Sequence, residues 1–218
     1  MFATETIQEA PKILLHDHLD GGLRPSTIIE LAEQTGNKEL PTYDKDELAN
    51  WMISTANRRN LELYLEAFTH TISVMQTRAA LYRVAAECAE DLALDGVIYA
   101  EIRFAPELHL MGDLKVAEVI ESVLAGLEAG SEGKDININV LVSAIRSQKR
   151  SKEMMEFALR FREKGVVGFD IAGPEIGYPP VDHLGAFNLA LENDFPLTIH
   201  AGEVGGSEYI EQAINQCG

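Results

Sequence analysis

Ile13-Leu14-Leu15-His16-Asp17-His18-Leu19-Asp20-Gly21-Gly22 begins as an apolar run, turns polar at its end and breaks at paired glycines. This is the profile of a strand that runs out into a loop, and in α/β proteins the loops after the C-terminal strand ends carry the chemistry. Residues two apart in a strand share a face and lie ~6.6 Å apart along its axis. The imidazoles of His16 and His18 would then lean onto one Zn²⁺ through bonds of ~2.0–2.1 Å. The bland alternative is a pair of polar surface histidines. Placement at the strand's end favours the metal.

Outward from this strand, short β-like runs alternate with helical stretches. A helix opens at Leu23-Arg24-Pro25 and runs to Thr35-Gly36, where proline and glycine suit a first turn and a C-terminus. Asp44-Lys45-Asp46-Glu47 has the carboxylate spacing of a capping box. Leu61, Tyr64, Leu65, Phe68 and Ile72 recur at helical spacing over 60–74, and a further helix covers 78–94. Strands are expected at 97–104, 136–145, 166–171 and 197–200, with helices over 114–129, 151–164 and 181–193 and another starting near Ser207. Strand followed by helix, five times over, is the pattern of a parallel sheet with covering helices. A complete (β/α)₈ barrel has eight units and typically ~250 residues, so five units are too few to close one.

The 218 residues contain 18 Lys+Arg against 35 Asp+Glu, a formal net charge of -17. That excess disfavours nucleic acid and anionic membranes as partners, because nothing here would neutralise a phosphate surface. An apolar content of 46% with 24% charged residues fits a globular chain with a real core rather than a disordered one. Cys88 and Cys217 form no CxxC pair and no disulfide framework. Met1-Phe2-Ala3-Thr4-Glu5 lacks a basic n-region and an apolar h-region, and the longest apolar stretches are strand-sized. The expected location is the cytoplasm.

A second polar strand end is Thr198-Ile199-His200-Ala201-Gly202-Glu203. A histidine at the terminus and a glutamate in the following turn suit a ligand and an acid/base catalyst. Equally, the histidine reads as a hydrogen-bonded core residue and the glutamate as a solvated loop charge.

Taken in order, His16-Asp17-His18-Leu19-Asp20-Gly21, Glu101-Ile102-Arg103-Phe104-Ala105-Pro106, Asp170-Ile171-Ala172-Gly173-Pro174-Glu175 and His200-Ala201-Gly202-Glu203 resemble the adenosine/AMP deaminase family of metal-dependent hydrolase barrels. Neither the His16-Asp17-His18 nor the His200-Ala201-Gly202-Glu203 motif is specific alone; the ordered set of four blocks is. The resemblance implies an α/β, TIM-type (β/α)₈ barrel of which residues 1–218 supply about five βα units, with a helical insertion at about 23–95 between strands one and two. It implies one Zn²⁺ per chain on His16, His18 and His200, and a purine nucleoside as the partner molecule. His18 would also lie beside the nucleoside, Asp20 would hydrogen-bond the ribose and Gly173 would offer backbone to a purine nitrogen. Glu203 would protonate purine N1 while metal-activated water attacks C6, converting adenosine, and deoxyadenosine with it, to inosine in purine salvage.

The family also carries a later histidine acting on the water and a later aspartate pair, on strands these residues do not reach. The expectation is a truncated barrel, inactive and poorly ordered alone, with unpaired edges at strands one and five. Two other readings stand beside adenosine deamination: an adenine deaminase acting on the free base, and a non-catalytic barrel fragment that binds zinc or purine. Asp20 and the 171–175 block favour the nucleoside.

Several residues have a second reading. On strand two, Tyr99, Glu101 and Arg103 share one face, with a Glu101–Arg103 pairing expected there. The Leu61, Tyr64, Leu65, Phe68 stripe is either core packing or a lid over the nucleoside. His70 and His183 read as surface or satisfied helix residues. His109 follows Pro106 in the second βα loop and is a weaker candidate for the site mouth. Cys88 reads as buried filler and Cys217, one residue from the end, as a reactive thiol.

Overall fold

A computed structural model describes residues 4–57 and 60–218; Met1–Ala3, on which the N-terminal reading partly rests, lie outside the described residues. Helix α1 (Thr4–Glu9) precedes strand β1 (Lys12–His18). Four helices then intervene before the next strand: α2 (Pro25–Thr35), α3 (Lys45–Ala56), α4 (Leu61–Val74) and α5 (Arg78–Leu94). The rest alternates: β2 (Val97–Phe104), α6 (Val116–Ser131), β3 (Asn137–Ile145), α7 (Ser151–Arg160), β4 (Val166–Ala172), α8 (Leu184–Glu192) and α9 (Ser207–Asn215). Short 3-10 turns follow β1 at Leu19–Gly21 and β2 at Pro106–His109.

Local chemistry sets the helix ends. Proline occupies the first turn of α2, and Gly36 closes it in the left-handed conformation at φ +69°. Asp44 caps α3 by accepting from the amides of Asp46 and Glu47. The reciprocal half of the capping box is not made. Glu47 instead accepts from the Thr42 hydroxyl, which in turn accepts from the Asp44 amide.

β1 to β4 form one parallel sheet in sequence order, part of a TIM-type barrel. The apolar side chains Ala100, Ile102 and Phe104 of β2 and Val140, Val142 and Ala144 of β3 are buried against the helices. β1 is irregular: Leu14 pairs with Ala100, but the next matched residue is Asp17, opposite Ile102. The extra residue falls in the Leu15-His16 step, a bulge that re-aims side chains beside a site. Asp17 thus shares the helix-facing side with Ile102, and His18 shares the opposite side with Arg103.

The fifth strand expected at 197–200 is not a regular strand. The segment lies parallel to β4 and makes one bridge, Phe169 to Leu197. The Phe169 amide donates to Pro196 O at 3.0 Å, Thr198 N to Phe169 O at 2.9 Å and His200 N to Ile171 O at 3.3 Å. The ladder lengthens towards His200, so hydrogen-bonded alignment persists where continuous pairing does not. No helix among the described residues is long and apolar enough to cross a membrane.

Candidate functional site

Three imidazoles meet at the C-terminal end of the sheet. His16 and His18 come from the end of β1, and His200 from the end of the segment beside β4. Their Nε2 atoms form a triangle: His16 to His18 3.2 Å, His18 to His200 3.2 Å and His200 to His16 2.9 Å. A neutral ring nitrogen either donates or accepts, so three in mutual contact always leave one pair mismatched. A cation at the centre removes that conflict. Tetrahedral zinc with bonds of ~2.0–2.1 Å separates its ligand nitrogens by about 3.3–3.4 Å, close to these sides. The donor set fits zinc.

Electrostatics prepare the triangle unevenly. Burial, reinforced by the neighbouring imidazoles, pushes His18 down to about 4. Burial and the Arg103 charge lower His16. At His200 burial acts downward, but the hydrogen bond and charge of Asp170 prevail and raise it. Asp170 is fully buried and faces His200 Nδ1 at 3.0 Å (Oδ2) and 3.1 Å (Oδ1). This places the proton on Nδ1 and turns the Nε2 lone pair to the centre.

Asp170 is held in turn. Ser143 Oγ donates to it at 3.1 Å, and Arg103 Nη1 lies 3.3 Å away. Arg103 also donates to Leu15 O at 2.9 Å and to Thr198 Oγ1 at 3.3 Å, linking β1, β2, β4 and the segment after Pro196. The expected Glu101–Arg103 pairing is therefore corrected: Glu101 accepts from the Tyr99 hydroxyl at 2.9 Å. A buried carboxylate needs the guanidinium more than a partly solvated one does.

A cavity of about 210 Å³ opens beside the triangle. His18, His200, Asp20, Gly173 and Glu203 line it, while His16, more exposed, completes the triangle without lining the cavity. Asp20 sits in the 3-10 turn after β1. It is buried, its Oδ1 has no partner among the described residues, and burial pushes its carboxyl up to about 7. That oxygen is free for a polar ligand. Gly173 adopts φ +99°, a conformation in which any Cβ is strained, and its backbone faces the cavity. Glu203 is an exposed side chain on the cavity wall, in the loop before α9.

The apolar stripe of α4 is resolved in favour of the cavity, since Leu61, Tyr64, Leu65, Phe68 and Ile72 form its wall. His109 does not line it. It is fully buried, with Nδ1 3.2 Å from Met75 O, and packs against Phe104. His183 is likewise buried rather than at the surface, beside Phe187, and its ring nitrogens have no hydrogen-bond partner among the described residues. His70 packs edge-on against Trp51. Cys217 is 1% exposed and its thiol is raised by burial, which corrects its expected reactivity. Cys88 sits against the helix core and burial pushes it up to about 12.

Asp170 belongs to the site although no role was expected for it. A single charge within the otherwise apolar run Val166-Val167-Gly168-Phe169-Asp170-Ile171-Ala172 is the signal for a buried, paired carboxylate.

Comparison with known proteins gives a consistent picture. The sequence family described as "Adenosine deaminase" matches residues 11–218. An "Adenosine deaminase" of Mycolicibacterium vanbaalenii is 54% identical over 219 residues, covering 98% of this chain and 60% of its own length. One from Mycolicibacterium gilvum is 55% identical over the same extents. The chain thus spans about 60% of the length of these curated relatives. Among solved structures, an Arabidopsis N6-mAMP deaminase superposes with a TM-score of 0.81 at 31% identity, covering 95% of this chain and 63% of the other. An adenine deaminase from Arthrobacter aurescens gives 0.81 at 25%, covering 93% and 61%.

Proposed function

The chain belongs to the adenosine deaminase family, and from that premise we propose that it serves the zinc-dependent hydrolysis of adenosine to inosine and ammonia, a purine-salvage reaction. One observation carries the proposal: an Nε2 triangle of zinc dimensions opens onto a cavity that also presents Asp20, Gly173 and Glu203. Adenosine is preferred over adenine or a methylated nucleotide because the relatives named for adenosine are 53–55% identical. The structures named for other substrates are 25–31% identical.

His16, His18 and His200 would hold one zinc ion, which supplies a Lewis acid able to bring the pKa of water towards ~7. Asp170 keeps the His200 ring in its ligating orientation, and Arg103 holds Asp170 in place. Asp20 would bond a ribose hydroxyl through its free oxygen. The backbone at Gly173 would hold the purine edge where a side chain would intrude. Glu203 would place a proton on N1, drawing electron density from C6 so that water adds there and ammonia departs. Leu61, Leu65 and Phe68 would shield the base from bulk solvent, strengthening those polar contacts.

The test is turnover by the purified full-length protein, since residues 1–218 by themselves are expected to bind zinc without full turnover. With zinc present, adenosine should be consumed and ammonia released in equal amounts. Deoxyadenosine should react, and adenine and N6-methyl-AMP should react poorly. Zinc binding without ammonia release from any of these compounds would leave only a metal- or purine-binding role.

A further inference from the structure

Glu203 is exposed, and no hydrogen bond among the described residues holds its carboxyl. A group that must meet one ring nitrogen nevertheless needs a defined position. The restraint lies in the backbone on either side. The Glu175 carboxylate accepts from Gly202 N at 2.6 Å through Oε1, and from Val204 N at 2.8 Å and Gly205 N at 2.6 Å through Oε2. Three amides bracketing Glu203 therefore converge on one side chain, itself only 1% exposed.

A buried cation faces that carboxylate at ion-pair distance, with no hydrogen bond between them among the described residues. Arg146, also buried, places Nη1 3.9 Å from Glu175 Oε1, with neither side chain accessible to solvent. Arg146 lies just beyond the end of β3, and its own amide donates to Ala172 O at the end of β4. Burial opposes the charge on Glu175, but the three amides and Arg146 hold its carboxyl below the ordinary carboxylate range. Gly202 at φ +80° completes the turn, and a Cβ there would meet Ile210 Cδ1 at 2.5 Å. A rigid sheet end thus grips a loop whose exposed side chain could not orient itself.

We propose that Glu175, backed by Arg146, is a positioning residue for the reaction: its carboxylate fixes the Gly202–Gly205 backbone and thereby aims Glu203 into the cavity. The proposal rests on the deaminase reading for what Glu203 does, and on the hydrogen bonds alone for how it is held.

Glu175→Gln is the decisive variant, because an amide group has one acceptor oxygen and turns N–H against N–H on at least one side of the loop. Zinc content and cooperative unfolding should be retained. The amides of Gly202, Val204 and Gly205 should exchange hydrogen about tenfold faster or more. With adenosine, kcat should fall at least about tenfold while KM changes by less than about threefold. In a Glu203→Gln background the same change should cost less than about threefold, since a residue acting through Glu203 has nothing left to aim. If the Gln variant does not fold, Glu175→Asp, which keeps the charge opposite Arg146 at shorter reach, should show the same faster exchange and lower kcat. Unchanged exchange in the folded variant would overturn the proposal, and so would a kcat loss equally large with and without Glu203. An inactive parent protein whose loop still exchanges faster in the variant would instead uphold the positioning and defeat the deaminase reading.

Discussion

The Asp170 carboxylate stands 3.0 Å from His200 Nδ1 and is itself inaccessible to solvent. A buried charge persists only where opposite charge and hydrogen bonds surround it, and Arg103 and Ser143 supply both here. The pair decides which way one histidine of the triangle faces. Replacing Asp170 with Asn should therefore lower zinc affinity by roughly 10–100-fold, the usual cost of losing such a support. Competition against a chelator of known affinity checks this; unchanged affinity would mean that packing alone orients the ring.

The triangle predicts metal stoichiometry as well as affinity. Purified protein should take up one zinc, and His16→Ala, His18→Ala or His200→Ala should each abolish tight uptake. His109→Gln and His70→Gln should leave it intact. Metal at 100 times its dissociation constant should raise stability by about 2.7 kcal/mol, read as a thermal shift that the three alanine variants lose.

Glu203→Gln should keep the zinc and cost at least about 10²-fold in kcat, because the amide cannot deliver a proton to N1. Near-normal turnover would reassign the residue to loop structure.

Phe68 and Tyr64 make edge-on contact at 5.2 Å, and Phe68 also meets His18 edge-on at 6.2 Å. Phe68→Ala should raise KM for adenosine by about 5–30-fold, as removal of about 1–2 kcal/mol of apolar contact implies. Zinc content should not change. A variant with unaltered KM would return the α4 stripe to a purely structural role.

Burial holds His109 down at about 4 from an ordinary 6.5. Between those values the unfolded chain binds the proton and the native one does not, so stability rises with pH. The contribution is complete above about pH 6.5 and is lost as the pH falls towards 4, up to about 3 kcal/mol in all. Denaturant titrations across that window should show a shallower pH slope for His109→Gln than for the parent; equal slopes would mean the ring is more accessible than its packing indicates.

Local order was legible from the residues. Most strand and helix bounds followed from apolar period, from Pro25 and Gly36 at helix ends and from the cap at Asp44, because these signals act within a few positions; the helix at Thr4–Glu9 was not anticipated, and 197–200 makes a single bridge rather than a strand. The three histidines were legible too, since their motifs stand at strand ends where α/β chemistry collects. What pairs with what was not. Arg103 was expected to pair with Glu101, two residues away in its own strand. It is instead drawn to Asp170, because only three-dimensional packing shows which carboxylate has lost its water. The same holds for Glu175, whose three amide partners lie 27 to 30 positions along the chain, for His109, buried away from the site mouth where it was a weak candidate, and for His183, buried rather than at the surface. Periodicity states which face a residue shares; desolvation, which depends on every element packed above that face, decides its partner and its charge.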